Sequence, residues 1–395
     1  MTTEDGRRVV AIRDPRGYTG SVLMLPPPLL DIVSMFDGEH TLREIQETIM
    51  RRHGELLDTA RMAGIVDTLD EHGFLDSSAF AERRQAIDRA FLEAPARPAT
   101  HAGGAYAATP AALRTTMDRF FAEPDGPGAI QWGVPAGPTL RGLIAPHIDF
   151  HRGGPAYAWG YRPLAEHSDA DCFVILGTCH AGMTEPFALT TKDYETPLGP
   201  APVDRDLVDG IVRRAGQDLF AGEPAHRTEH SIEFQAVFLR YLFADRREVT
   251  IVPILASFVH EALLRGQRPE DDPRVARFLD ALADTLAGSR RRACVIAGAD
   301  LAHVGPQFGD PDEVTPGWLR DVERDDRELL ATVQAADPHA FFELARRDGD
   351  RNRVCGLSPI YALLRLLPAA RGEVRRYAQW PDPGGTVTFA SVTLT

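Results

Sequence analysis

The stretch GLIAPHIDFHRGGP, residues 142–155, changes character halfway along its length. It opens with the apolar run LIA, which is typical of a short strand buried on both faces of a sheet. His147, Asp149 and His151 follow within the next six residues, and a Gly-Gly-Pro turn comes after them. A buried strand with imidazole and carboxylate groups at its carboxyl end indicates an α/β sheet, whose ligands collect beyond the strand ends.

The same pattern occurs at two further strand-like runs. FVILGTCH ends at His180, and CVIAGADLAH ends at Asp300 and His303. Because the carboxyl ends of parallel strands meet at one edge of a sheet, we expect these groups to share a crevice. Neutral imidazoles with a carboxylate are ligands for a divalent transition metal. The sequence therefore predicts a metal site made by His147 and His180 with Asp300 or His303.

Other polar groups near these runs are candidates for supporting or catalytic roles. Asp149 and His151 either fix the tautomer of a metal ligand or lie on the surface. In AHRTEHSIEFQ, His230 and Glu233 stand at helical spacing. We expect His230 to act as a general acid or base that faces the crevice, with Glu233 either orienting it or lying on the surface.

The same segment allows a second interpretation. His226, Glu229 and His230 match the H-x-x-E-H pattern of inverzincin zinc peptidases. That motif has to lie within one regular helix, whereas Gly222 and Pro224 place His226 at or before the helix start. A zinc hydrolase is therefore the less favoured alternative.

Composition narrows the class of protein. At 395 residues the chain is long enough for two domains, and its 25% charged and 44% hydrophobic residues are typical of soluble globular proteins. A net charge of −14 argues against binding to nucleic acid. The start MTTEDGRR resembles no signal peptide, and no apolar run approaches the roughly 18 residues of a membrane span, so we expect a cytoplasmic protein.

Residues 97–395 are predicted to form the larger domain. Runs rich in Val, Ile, Leu and Ala alternate with amphipathic helical patterns from about residue 97 onward. This alternation predicts an α/β fold with a mostly parallel open sheet and helices on both faces.

Residues 1–80 are predicted to form a small α+β domain of winged-helix size, joined to the rest by a helical linker at residues 81–96. VVAIRD and SVLMLP read as short strands, and Thr41 with Glu44 forms a capping box that opens a helix. A second amphipathic helix follows and ends at Gly73, after which FLD is expected to return as a strand.

Six ordered blocks of the larger domain resemble the Memo family, which in bacteria supplies protein B of the AmmeMemoRadiSam system. The blocks are LIAPHIDFHRGGPAYAWGY, VILGTCHAGMTEPFAL, YETPLGPAPVDRDLV, EHSIEFQAVFLRYL, GADLAHVGPQFG and CGLSPIYALL, and the resemblance spans roughly 290 residues. It implies the LigB-like fold of class III extradiol dioxygenases, whose site holds one non-haem Fe(II). By position, His147 and His180 match the two metal histidines, and His230 matches the histidine that acts as base.

The third ligand is where the chain departs from that family. Animal Memo proteins are expected to carry a cysteine just before the histidine of the D-x-x-H block, where this chain has Ala302. Either Asp300 or His303 replaces that ligand, or metal binding is weaker or absent. An oxygen or nitrogen ligand favours Fe(II) or Zn over Cu(I). We therefore expect Fe(II), with Zn or Cu as alternatives.

The front of the chain resembles the small PqqD-like modules that bind peptides beside radical-SAM enzymes. The resemblance rests on LPPPLLDIVSMFDGEHTLREI and LDEHGFLD. It implies a peptide ligand and a radical-SAM partner protein. Two functions are thus in view besides the zinc hydrolase: a metal-dependent, dioxygenase-like redox enzyme acting on a small or peptidyl substrate, and a non-catalytic peptide- or partner-binding component of a radical-SAM-associated modification system.

Overall fold

The computed structural model describes residues 9–54, 56–133, 138–382 and 384–395. The chain divides into two compact units, Met1–Glu93 and Ala94–Thr395. The first unit contains an antiparallel hairpin of β1 (Val10–Arg13) and β2 (Val22–Leu25), followed by the helices α1 (Pro27–Val33), α2 (Leu42–His53), α3 (Thr59–Glu71) and α4 (Ser78–Glu93).

Helix α2 begins as the sequence predicts. The side chain of Thr41 accepts from the backbone N–H of Glu44 at 3.3 Å, and the Glu44 carboxylate accepts from the backbone N–H of Thr41 at 2.8 Å. Each bond satisfies an N–H that the helix itself leaves unpaired. The apolar faces of the helices then enclose a core of their own, made of Ile32, Met35, Ile45, Ile49, Leu57 and Met62.

One expectation for this unit is wrong. Residues 74–76 (FLD) form no strand, so the described part of the unit has no strand after its helices. Helix α4, which covers most of the predicted linker, contacts the hairpin of the first unit: the Tyr18 hydroxyl donates to Asp88 at 2.9 Å, and its ring lies edge-on to Phe80. Short strands and surface helices depend on such contacts, which sequence periodicity does not encode.

The second unit alternates strands and helices. Its strands are β3 (Ala96–Arg97), β4 (Gly142–Ala145), β5 (Cys172–Thr178), β6 (Phe187–Leu189), β7 (Asp193–Tyr194), β8 (Thr250–Ala256), β9 (Ala293–Gly298), β10 (His303–Val304), β11 (Gly372–Asp382) and β12 (Gly385–Leu394). Its helices are α5 (Pro110–Phe121), α6 (Phe150–His167), α7 (Arg205–Ala215), α8 (His230–Phe243), α9 (Val259–Arg265), α10 (Pro273–Gly288), α11 (Pro316–Gln334), α12 (Pro338–Arg347) and α13 (Leu357–Leu366). None of the helices in the described ranges is long and apolar enough to cross a bilayer.

The main sheet is mixed. Its strand order is β10-β12-β4-β9-β5-β8-β6, with β11 also paired to β12. The central strands β4, β9, β5 and β8 pair in parallel, as predicted, whereas β12, β10, β11 and β6 pair antiparallel. The prediction of a mostly parallel sheet therefore holds only for the centre. Strand β12 (GTVTFASVTL) is buried throughout although hydroxyl residues alternate along it, which obscures the pattern of a core strand.

Helices cover both faces of the central strands. A Cβ atom placed on Gly298 would lie 2.5 Å from the backbone oxygen of Ser231 in α8, so Gly298 faces that helix. The next residue, Ala299, faces Gly356, which directly precedes α13. Because successive residues of an extended chain point to opposite faces, α8 and α13 lie on opposite sides of the sheet.

Candidate metal centre

Three histidines meet beyond the carboxyl ends of the parallel strands. The ligand nitrogens of His147, His180 and His230 all lie within 4.8 Å of one another. The ring centroids of His147 and His180 are 4.7 Å apart, which confirms that the two strand ends bring these residues together. Two bonds of roughly 2 Å from one metal ion require ligand nitrogens no more than about 4 Å apart, so the three histidines lie close to binding distance.

His147 and His180 were expected to follow strands that lie next to each other in the sheet, but their strands are not neighbours. Strand β9 lies between β4 and β5 and pairs with both in parallel. The His147 ring reaches across the end of β9, where its Nδ1 donates to the Gly298 carbonyl at 2.9 Å. Gly298 has no side chain to obstruct α8, whose Ser231 carbonyl would lie 2.5 Å from a Cβ atom at this position.

His147 is held as a neutral imidazole whose Nε2 faces the cluster. Its side chain is only 2% exposed, and burial together with the nearby His180 lowers the pKa of His147 to about 3. The proton on Nδ1 is engaged by the Gly298 carbonyl, which leaves the Nε2 lone pair available. The Asp300 carboxylate accepts from the His147 backbone N–H at 3.0 Å and fixes the main chain at this point.

Glu229 orients His180. It caps α8 by accepting from the Ser231 N–H at 2.9 Å, and it also accepts from the N–H and the Nδ1 of His180 at 2.8 and 3.0 Å. Burial alone would lower the pKa of His180, but the charge and hydrogen bond of Glu229 outweigh it and raise the pKa above its usual value. A carboxylate behind a histidine is the usual support for a metal ligand. The sequence offered one signal for this role, a glutamate directly before a helix start.

His230 occupies a different position relative to the other two rings. It is the first residue of α8, and its ring stacks on His180 at 4.5 Å with 17° between the planes. His147 is edge-on to both, at 74° and 77°. A metal lies in the plane of an imidazole that binds it, and nearly parallel stacked rings do not direct their lone pairs at one point. His180 and His230 therefore do not both fit as ligands of one metal ion in this geometry.

Cys355 is the site residue that sequence reasoning missed. Its Sγ lies 3.1 Å from His147 Nε2, and its carbonyl accepts from the Thr178 hydroxyl at 3.2 Å. Burial and the nearby Asp300 carboxylate raise the pKa of the Cys355 thiol, so it stays protonated unless a cation replaces the proton. A sulfur atom therefore lies next to His147 although position 302 holds alanine. Cys355 follows Ala302 by more than 50 residues in the sequence.

A known protein family matches most of the second unit. The model of the family described as "Memo-like protein" matches residues 97–390, which is most of the chain. The chain belongs to the Memo-like family.

Relatives in this family are similar over different lengths. MEMO1 family proteins of Pyrobaculum aerophilum and Methanothermobacter thermautotrophicus are 31% and 30% identical, covering 68% and 73% of this chain and 87% and 95% of theirs. One from Aquifex aeolicus is 27% identical over 90% of this chain and 86% of its own, a match that must reach into the first unit. The solved structure of uncharacterized protein JW3007 from Escherichia coli K12 has a TM-score of 0.37, with 12% identity over 64% of this chain and 99% of that one.

Asp300 and His303, the predicted third ligands, lie next to the three histidines. They do not belong to the group whose ligand atoms all lie within 4.8 Å of one another. Asp300 Oδ2 is 3.6 Å from His147 Nε2, and burial raises the pKa of Asp300 to about 6. His303 Nδ1 donates to the Leu301 carbonyl at 3.0 Å, and its ring packs edge-on against Phe308. Their role as ligands stays a prediction.

Glu233 is buried, which excludes the surface role considered for it. Its carboxylate pairs with Arg97 and Tyr106, and it accepts from the Thr100 hydroxyl and the His101 N–H at 3.1 Å each. These bonds tie the start of the Memo-like unit to α8. The carboxylate next to His230 is that of Glu229, which lies 3.3 Å from His230 Nδ1.

Asp149 and His151 contact residues outside the histidine cluster. Asp149 precedes α6 and accepts from Arg152 at 2.7 Å. His151 is exposed, with its ring centroid 6.3 Å from that of Trp380. A supporting role for either residue stays a prediction.

The zinc-peptidase interpretation does not fit the structure. His226 lies in a 3-10 helix, Glu223–Arg227, and α8 begins only at His230, so the motif is not on one helix. Both ring nitrogens of His226 have protein partners, the Tyr194 hydroxyl at 2.7 Å and the Ala188 carbonyl at 3.0 Å. His226 is therefore a buried structural residue.

Proposed function

We propose that this Memo-like protein binds one divalent transition metal through His147, His180 and Cys355, and that it is a metal-dependent redox enzyme of dioxygenase-like type. Its substrate would be a small molecule or a peptidyl group. The observation that carries the proposal is the approach of the oriented imidazoles of His147 and His180, whose ligand nitrogens lie within 4.8 Å of each other. The Cys355 sulfur lies 3.1 Å from His147 Nε2.

The residues fit such a metal. The Nδ1 of each histidine is engaged by the protein, that of His147 by a carbonyl and that of His180 by Glu229, so both Nε2 atoms are available. Burial keeps His147 neutral, as ligation requires. Two imidazoles and a thiolate suit Fe(II), Zn and Cu, so the sequence argument against copper no longer applies. A bound Fe(II) or Cu would supply the redox and Lewis-acid chemistry that side chains lack.

His230 provides acid–base chemistry next to the metal ligands. Burial lowers the pKa of His230 well below its usual value, so the neutral ring can accept a proton from a substrate hydroxyl or amine. Glu229, 3.3 Å from His230 Nδ1, stabilises the imidazolium that results. The side chains of His180 and His230 are 35% and 29% exposed, whereas His147 is enclosed, so a substrate approaches from the side of α8.

The double change His147→Ala, His180→Ala tests the metal site. We expect it to abolish stoichiometric metal while the fold persists, because both side chains lie beyond strand ends. Elemental analysis of protein purified without added metal, followed by anaerobic Fe(II) titration, measures the loss. His339→Ala, an exposed histidine on α12, is the matched control. Full metal content in the double variant would contradict the proposal.

A second candidate is a non-catalytic component that presents a peptide to a radical-SAM partner. The match to the Aquifex aeolicus relative supports it, because similarity that reaches into the first unit joins that unit to the Memo-like part in a second protein. The first unit also has a groove of about 650 Å³ beside α2, with Leu56 exposed at its edge. Peptide binding of equal strength by the protein with and without metal, and no turnover with O₂, would favour this candidate.

A further inference from the structure

The loop that carries Cys355 has an unusual backbone. Between α12 and α13, Gly349, Asp350 and Arg353 have positive φ angles of 68°, 54° and 51°. Residues other than glycine seldom adopt this left-handed conformation, and two of them within four positions require the surrounding contacts to hold them there. The loop is therefore fixed in one shape by its neighbours.

Asp350 provides the contacts that close the loop. Its Oδ1 accepts from the Val354 N–H at 2.9 Å, and its Oδ2 accepts from His260 Nε2 on α9 at 3.0 Å. Its own backbone N–H donates to the Ala345 carbonyl, and its carbonyl accepts from the Arg353 N–H, each at 2.9 Å. The Asp350 side chain is only 7% exposed, so these bonds face little competition from water.

The flanks of the loop are tied to the rest of the site. Asn352 donates from Nδ2 to Asp325 at 3.2 Å, and Arg353 pairs with Asp310. The same two residues hold His303 by both of its backbone groups: its N–H donates to the Asn352 carbonyl at 2.7 Å, and its carbonyl accepts from Arg353 at 3.2 Å. The loop thus fixes His303 as well as the cysteine.

The backbone directly after Cys355 is packed closely against the end of β9. The Gly356 N–H donates to the Asp300 carbonyl at 3.1 Å, and a Cβ atom on Gly356 would lie 2.6 Å from that carbonyl and from the side chain of Ala299. Cys355 is therefore confined between the turn closed by Asp350 on one side and a glycine packed against the end of β9 on the other.

We propose that Asp350 is a positioning residue, which sets the Cys355 thiol within reach of His147 by closing the left-handed turn before it. The inference rests on the proposed function for the ligand role of Cys355, but the placement of the thiol is independent of metal. Asp350 acts through the backbone of Val354 and touches no ligand itself.

Three variants separate the hydrogen bond from the backbone conformation. Asp350→Ala loses the acceptor and is strained at positive φ. Asp350→Gly relieves the φ angle but still lacks the acceptor. Asp350→Asn retains both an oxygen acceptor and a tolerance of left-handed backbone, so it should rescue the site. Asp348→Ala removes a carboxylate of the same loop that is about a third exposed and pairs with Arg351. This variant serves as the matched control.

The first measurement is the absorption of the protein loaded with Co(II), in which thiolate ligation gives a near-ultraviolet charge-transfer band. We expect the band in wild type, Asp350→Asn and Asp348→Ala, and its loss in Asp350→Ala, Asp350→Gly and Cys355→Ser. The affinity for Co(II) should fall roughly ten- to a hundredfold in the Ala and Gly variants, the usual effect of removing a residue that supports a ligand. An unchanged band in both would overturn the inference.

The second measurement uses metal-free protein and so does not depend on the proposed function. The rate at which iodoacetamide alkylates Cys355, followed by peptide mass mapping, should rise in the Ala and Gly variants but stay at the wild-type value in Asp350→Asn. Equal rates in all variants would overturn the positioning role. Wild type that binds no Co(II) would refute the proposed function alone, whereas Co(II) bound without the thiolate band would refute only the ligand role of Cys355.

Discussion

The proton of each imidazole decides what a histidine can do at this site. His147 and His180 each commit one ring nitrogen to a protein acceptor, which leaves the other with a lone pair directed at the cluster. Ligation needs such a lone pair, and so does proton transfer. What separates the two roles is the direction of the lone pair relative to a shared point, and by that criterion His230 differs from the other two.

His230→Ala should therefore retain metal and lose turnover. The stacked ring of His230 contributes no lone pair to the point at which His147 and Cys355 meet, so its removal leaves the proposed ligands in place. Metal content by elemental analysis should stay at the wild-type ratio, while any O₂-dependent turnover falls by about a hundredfold or more. His147→Ala is the comparison, and an equal loss of metal in both variants would show that His230 is a ligand.

The sequence indicated some of these residues and could not indicate others. His147 and His180 follow strand-like runs, and the ends of parallel strands converge by rule, so their meeting was predictable. Cys355 lies in an apolar block where a cysteine reads as core, and its contact with His147 joins positions 208 residues apart. Spacing along the chain carries no signal for such a contact.

At the scale of elements, the site depends on how closely α8 approaches the strand ends. Gly298 at the end of β9 touches Ser231, and Gly177 in β5 has the same relation to α8: a Cβ atom there would lie 2.6 Å from Ile232. Because glycine lets the helix start lie directly on the sheet, Glu229 and His230 come within reach of His180. The small residues before the polar strand ends and the helix itself were both visible in the sequence, but the contact between them was not.

Gly298→Ala should separate α8 from the sheet. The added methyl group would lie 2.5 Å from the Ser231 carbonyl and 3.0 Å from Gln235, too close without movement of the helix. We expect a loss of about 1–3 kcal/mol in the free energy of unfolding, together with weaker metal binding. Urea unfolding and metal titration measure the two effects. Gly317→Ala, near the start of α11 where the closest atoms are 3.8 Å away, should change neither.

Helix α11 is joined to the C-terminal hairpin by a buried carboxyl group. Asp326 Oδ2 accepts from the hydroxyls of Tyr377 on β11 and Thr388 on β12, at 2.9 and 2.6 Å. Burial raises the pKa of Asp326 to about 7. The hairpin itself was not predicted, because its inner strand alternates hydroxyl and apolar residues although both kinds are buried.

Asp326→Asn should alter the pH dependence of stability. Between about pH 4 and 7 the folded protein keeps a proton that the unfolded chain has released, so the contribution of Asp326 falls as the pH rises. Asparagine cannot titrate. As the pH rises through that interval, the free energy of unfolding of the variant should therefore increase relative to that of wild type, by up to about 1.4 kcal/mol per pH unit. Urea unfolding at pH 4.5 and 7.5 measures it, with exposed Asp321→Asn as control. A constant difference between variant and wild type would contradict the shifted pKa.

The whole molecule consists of two units with separate cores, and the family match coincides with the second. It begins at residue 97, close to the division between Glu93 and Ala94. A Pro- and Ala-rich stretch lies at this division in the sequence. The sequence did not reveal that the first residues after the division are structural parts of the second unit.

The fragment 94–395 should fold alone and keep its metal site, whereas 101–395 should be much less stable. Arg97 is fully buried, belongs to the strand β3 that pairs with β7, and forms an ion pair with the equally buried Glu233 in α8. Removing it leaves an uncompensated buried carboxylate, at a cost of roughly 3–5 kcal/mol. Urea unfolding measures the loss relative to the unchanged fragment 94–395. We expect the same loss for fragment 101–395 and for Arg97→Ala within fragment 94–395. Aggregated or molten 94–395 would mean that the two cores depend on each other, and equal stability of both fragments would show that the buried pair does not anchor α8.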